Sequence, residues 1–249
     1  MRTVEFLGSP GSGKTTLARE VVRSVDGSVD LEEAVRLAIR DHGEDGLARA
    51  AARLSRTPSS RLWRSAYARS TDRFSALARF LEAHPAAMES VLAAQVQRAE
   101  RDRGQELVLV WILNLMARYE IANERAGNEW LVIDEGFCQR AVALFAHGFA
   151  GDRDGPSLSS YLTSIPLPDV VVMVDTPLDM CRERLDQQGW SVRLEDQDEE
   201  SRQAFLLGAS KVAGVVAASV EQGGARLIRV DGTMPVADSL NRVAATLAV

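Results

Sequence analysis

At 249 residues, 46% hydrophobic and 26% charged, the chain can bury a full core and is neither a disordered nor a fibrous sequence. A net charge of -6 excludes a uniformly basic nucleic-acid binder, although a local basic patch is compatible with it. The two cysteines, Cys138 and Cys181, lie far apart with no CxxC or neighbouring histidine, which excludes a metal or redox motif and points to a reduced cytoplasm.

The first element is "TVEFL" (3–7), short and apolar, the pattern of a buried strand. Starting there, it leaves no room for a secretion signal. "GSPGSGKT" follows, then an amphipathic helix over roughly 13–25. A weak strand signal lies at "GSVDL" (27–31). A long Ala- and Arg-rich stretch, 31–126, has helical periodicity broken near 41–46, 56–60 and 82–87, and reads as a helical insertion. Its apolar run "LVLVWILNLM" (107–116) is about half of what a membrane-spanning helix needs, so no membrane span is expected. It serves as a buried helix or, with the Ala-rich helices, as the interface of a homodimer. Two further strands are "WLVIDE" (130–135) and "DVVVMVD" (169–175), each followed by a helix signal. "RLIRVDG" (226–232) comes after the Gly223-Gly224 break. Strands alternating with helices predict an α/β layered fold, and the whole of 1–249 reads as one domain.

The pattern G-x-x-x-x-G-K-[ST] is met by Gly8, Gly13, Lys14 and Thr15, between a strand and a helix as the motif requires. Over Gly8, Ser9, Pro10, Gly11, Ser12, Gly13, Lys14, Thr15 and Thr16 the backbone can curl so that successive N–H groups meet one anion. The helix N-terminus adds its positive dipole end. Lys14 then bridges the terminal phosphates of ATP and the Thr15 hydroxyl ligates Mg2+.

Such a loop also needs a carboxylate at the end of a neighbouring strand. "LVIDEG" offers Asp134, for the magnesium shell or catalysis, and Glu135, to activate a water or accept a substrate hydroxyl proton. The plainer alternative is that Asp134 caps the helix that follows. Asp175, just before Thr176-Pro177, reads as a structural cap of the next helix. Arg182 and Arg184 lie on that helix and Arg193 in "GWSVRLED" beyond it; arginine on a mobile loop suits the spread charge of a transferred phosphoryl group.

Between Gly46 and Leu81 eight arginines (49, 53, 56, 61, 64, 69, 73, 79) face one acid, Asp72, so this segment carries +7 and the remainder -13. It reads either as a surface or pocket for an anionic acceptor, with Trp63 and Tyr67 stacking on a base, or as a solvated face with those aromatics in the core.

Taken in order, these motifs resemble the P-loop kinases of nucleosides and nucleotides, the thymidylate-kinase and deoxynucleoside-kinase group, over most of the chain. The resemblance implies a three-layer P-loop NTPase fold with a five-stranded parallel sheet of order 2-3-1-4-5. It also implies ATP-Mg2+ as donor, an acceptor region in the insertion, and a lid over 186–197. It puts Arg184 at the arginine position after the fourth strand and Arg193 in the lid. These kinases place an arginine directly after the acid ending the third strand; this chain has "DEG", with Arg140 six residues past Asp134 as a substitute charge. The expected activity is transfer of the ATP γ-phosphate to a small, anionic acceptor, such as a nucleoside or nucleotide. The alternative is a P-loop ATPase acting on a protein or nucleic-acid partner, which "DEG" and the basic stretch favour. No NKxD-type motif reads guanine, and the intact Lys14-Thr15 pair argues against a purely structural nucleotide site.

Overall fold

A computed structural model describes residues 1–98, 105–125, 127 and 129–248. Five strands, β1 (Arg2–Leu7), β2 (Ser28–Asp30), β3 (Trp130–Ile133), β4 (Val170–Asp175) and β5 (Arg226–Asp231), form one sheet in the order β2-β3-β1-β4-β5. Every neighbouring pair is parallel, as the expected order requires. β3 and β4 read as apolar runs because both sheet faces are covered there, while at the edge β5 alternates buried Ile228 and Val230 with exposed Arg226 and Arg229. Along β1, Val4 and Phe6 point to a core shared with α1 (Lys14–Ser24) and α12 (Val236–Leu247). Leu7 joins the opposite core, with α8 (Phe137–Phe145), α9 (Gly151–Ser164) and α11 (Glu199–Gln222). Between these layers α10 (Leu178–Gln188) follows β4 and leads into the turns of residues 189–197.

The segment between β2 and β3 holds α2 (Leu31–His42), α3 (Gly46–Leu54), α4 (Arg61–Arg69), α5 (Thr71–Ala83), α6 (Pro85–Arg98) and α7 (Gln105–Asn123). Local caps set their starts. Asp30 accepts from Glu33 N at 2.8 Å at the head of α2, and Asp45 accepts from Leu47 N and Ala48 N at the head of α3. Ser70 divides α4 from α5, a boundary the periodicity did not reveal, because its hydroxyl accepts from Asp72 N and opens a new helix. In α7 the run 107–116 buries Val108, Ile112, Leu115 and Met116 in the core.

Trp63 and Tyr67 are 1% and 6% exposed, with ring centroids 5.4 Å apart, so they are core residues and offer no stacking surface for a base. Among the described residues α11 alone has the length and apolar content of a membrane span. It packs instead as a core helix, burying Phe205, Ala209, Val212, Val216 and Val220.

Candidate active site

The loop between β1 and α1 depends on glycine at two places. Gly8 has φ 152, and a Cβ on it would sit 2.6 Å from the Val174 carbonyl oxygen of β4; Gly11 has φ 77 and lies against the Cys181 carbonyl of α10. Gly13 stands at the head of α1 in the left-handed region, with no side chain capping the helix, so its first N–H groups face the loop. The Ser12 hydroxyl is buried with no protein partner. A buried hydroxyl without a partner is costly, and a bound anion would relieve it.

Lys14 is buried and donates to the Ser9 carbonyl at 3.0 Å. Burial lowers its pKa, against the opposing pull of Glu135 and Asp134. Asp134 lies just past the end of β3 beside the Thr15 hydroxyl. Burial raises its pKa, the Thr15 hydroxyl pulls it down, and its Oδ1 has no protein partner. Thr15 and Asp134 therefore present hard oxygen donors side by side, one unsatisfied, which fits a Mg2+ ion. Asp134 is not the cap of α8, whose head is Gly136 with no capping side chain of its own.

That capping falls to Glu5, in the middle of β1. Its carboxylate accepts from Phe137 N at 3.1 Å and Cys138 N at 2.8 Å, the first turn of α8. Two residues on, Gln139 Oε1 accepts from Gly8 N at 3.1 Å. Arg140 then reaches back to Glu135 at 2.8 Å, over the Trp111 ring with its guanidinium carbon 5.4 Å from the centroid. Arg140 thus brings a positive charge to Glu135 from α8.

Three cavities surround these residues, the third bordering the other two. One of about 340 Å³ is lined by Gly11 to Leu17 with Arg184, Gln188, Gly232 and Met234. A second, of about 480 Å³, lies between α1, α7 and the ends of β2 and β3; Glu32, Trp111, Arg118, Asp134, Glu135 and Arg140 are in its wall. A third, of about 400 Å³, holds Pro10, Lys14, Glu135, Arg140, Trp190 and Arg193. Arg118 pairs with Glu32 in the second. None of the insertion arginines from 49 to 79 lines these cavities.

Arg184 donates to the carbonyls of Gly11 (3.3 Å), Ser12 (3.2 Å) and Gly232 (2.9 Å), so it braces the loop backbone. Arg193 is largely buried and donates to the Ala143 carbonyl at 2.6 Å. Ser9 is buried, Pro10 borders the third cavity and Thr16 the first. Asp175 does not cap α10; that helix begins after Pro177, and Asp175 pairs with Arg229 at 3.4 Å.

No family model and no curated protein matches the chain. Among solved structures it is similar to deoxyadenosine kinase from M. mycoides with bound dATP, at TM-score 0.51 and 12% identity over 100% of both chains. The same kinase with products dCMP and a flexible dCDP gives 0.52 and 12% over 99% of this chain and 98% of that one. With bound dCTP the figures are 0.51 and 11%, over 99% and 98%. The chain has a deoxynucleoside-kinase-like P-loop fold.

Within this P-loop kinase fold the sequence reading missed Glu5, Arg19, Glu32, Trp111 and Arg118. Glu5 carries a signal that was available: a carboxylate in the middle of an apolar strand must find donors. The others lie on helix faces whose shared cavity exists only once α7 crosses the ends of β2 and β3.

Proposed function

We propose that this chain is an ATP-Mg2+-dependent phosphotransferase that moves the γ-phosphate of ATP to a small-molecule acceptor of the nucleoside or nucleotide class. The observation that carries the reading is a line of cavities. Lys14 and Thr15 line one and Asp134 and Glu135 another, with the Thr15–Asp134 contact between them, and the third shares Lys14 with the first and Trp111, Glu135 and Arg140 with the second. A concave site beside the terminal-phosphate position is what an acceptor requires.

The backbone N–H groups of Gly11 and of Gly13 to Thr15, with the Ser12 hydroxyl, hold the phosphates, and Lys14 bridges the terminal ones. Thr15 and Asp134 would hold Mg2+, which when bound neutralises charge on the phosphate oxygens. Arg140 fixes one Glu135 oxygen and leaves the other to take the proton of the acceptor hydroxyl. Arg184 keeps the loop in shape; residues 186–188 of the expected lid are the last turn of α10, and the segment that covers the phosphate side starts at Gly189 and includes Trp190 and Arg193. The wall of the second cavity is charge-balanced, with Arg19, Arg23, Arg118 and Arg140 against Asp30, Glu32, Asp134 and Glu135; Arg23, Arg118 and Arg140 each have a carboxylate partner, and Arg19, which has none among the described residues, is the cation left to an anionic acceptor.

The test is release of ADP from ATP-Mg2+ with pooled nucleosides, nucleotides, small alcohols or single-stranded nucleic acid, beside Lys14→Ala. Turnover that needs one small-molecule pool and yields a phosphorylated product by mass is the expected result. Free phosphate alone, unaffected by small molecules, would establish the ATPase alternative and refute the transfer reading.

A further inference from the structure

We propose that Glu5 is a positioning residue that sets the P-loop and the wall of the acceptor cavity together, through the first turn of α8. The part concerning the acceptor rests on the phosphotransferase reading above.

Glu5 is 1% exposed and sits on the central strand, under the loop that it does not touch. Its two oxygens are each used by one α8 N–H, so the helix end is held in both distance and rotation. Gly136 completes the joint, because a Cβ there would overlap the Glu5 carboxyl group. From that fixed end, Gln139 is delivered to Gly8 N and Arg140 to Glu135. Tyr161, from α9, donates to the Phe137 carbonyl at 3.0 Å and steadies the same turn. The groups facing the carboxylate are the Cys138 thiol, Arg140, Tyr119 and Tyr161. Burial keeps the thiol and both phenols neutral, and the Cys138 thiol donates to the carboxylate beside the two helix N–H groups. A buried carboxylate needed only for stability would not have to sit where one helical turn serves both substrates.

The experiment uses Glu5→Gln, which keeps the shape and one acceptor oxygen but turns the other into an amide that faces an N–H. Binding of ATP-Mg2+ is measured without acceptor, and then kcat and the acceptor KM, with melting temperature alongside. At about pH 8, where the Glu5 carboxyl is ionised, the Kd of folded E5Q for ATP-Mg2+ rises about tenfold and kcat falls by at least as much, the loss of roughly one charge-assisted hydrogen bond. Wild-type Kd and kcat in folded E5Q, with only a lower melting temperature, would overturn the proposal. If E5Q does not fold, Gln139→Leu decides, since it removes the link to Gly8 while leaving the cap: unchanged ATP affinity there overturns it as well. Absence of phosphoryl transfer by the wild-type protein would sink the functional reading, while the two Kd values would still judge Glu5.

Discussion

Folding stability and pH are tied together at Glu5. Burial raises its pKa from 4.5 to about 7, against the pull of the Cys138 and Phe137 N–H groups and of Arg140. Between those two values the unfolded chain releases a proton that the folded protein keeps. Stability contributed by the protonated group is therefore complete below about pH 4.5, falls as pH rises to about 7, and is level above that. At about 1.4 kcal/mol per pKa unit, the whole fall is about 3 kcal/mol. Glu5→Gln cannot titrate, so the stability difference between variant and wild type should move in the variant's favour by that amount across the window. Carboxylates with lowered values, such as Asp45 and Asp198, act at lower pH in both proteins and cancel in the comparison. Urea unfolding of both proteins at several pH values from about 5 to about 8 reads the difference directly. Parallel stability curves over that range would refute the assignment of a proton to Glu5.

Lys14→Ala should lose at least about a hundredfold in ATP turnover while unfolding within about 1 kcal/mol of wild type, since the amine holds only the Ser9 carbonyl. Steady-state kinetics beside urea unfolding checks this, and full turnover in the variant counts against the loop assignment. Gly11→Ala forces a side chain into φ 77 against the Cys181 carbonyl, and is expected to cost about 1–3 kcal/mol and to raise the KM for ATP. A variant with wild-type stability and KM would show that the loop does not need this close approach. Trp63→Ala should lower unfolding free energy by about 3–5 kcal/mol, the cost of emptying a core aromatic site; a near-neutral result in the same assay would return Trp63 to a surface role.

Much of the fold was legible because each parallel strand is a short apolar run with a helix signal behind it, and because the phosphate loop ties strand and helix together. β2 was faint for a physical reason: it is three residues long and pairs with β3 alone. The helix α9 was not foreseen, since "GDRDGPSLSSYLTS" carries two glycines, a proline and four serines that hide its periodicity. In the site, Asp134 and Lys14 could be named from motif and spacing. Glu5 could not be matched with residues 137 and 138, because a crossover through the whole helical insertion separates them in sequence and only the β1–β3 pairing brings them together. The arginines from 49 to 79 drew attention by number, yet Arg79, for one, pairs with Glu120 and Glu124 away from the loop. The cations in the cavity wall come from α1, α7 and α8.

The brace formed by Arg184 has a mechanical consequence. By holding two carbonyls of the loop and one beyond β5, it fastens α10 to the stationary frame of the protein. Gly11, seated against the Cys181 carbonyl, rivets the same helix from the other side. Past that fastened helix the backbone turns at Gly189, where φ is 94 and a Cβ would meet nothing. The helix carrying Arg182 and Arg184 thus belongs to the frame that holds the loop, so a change at Arg184 is felt by the loop backbone first.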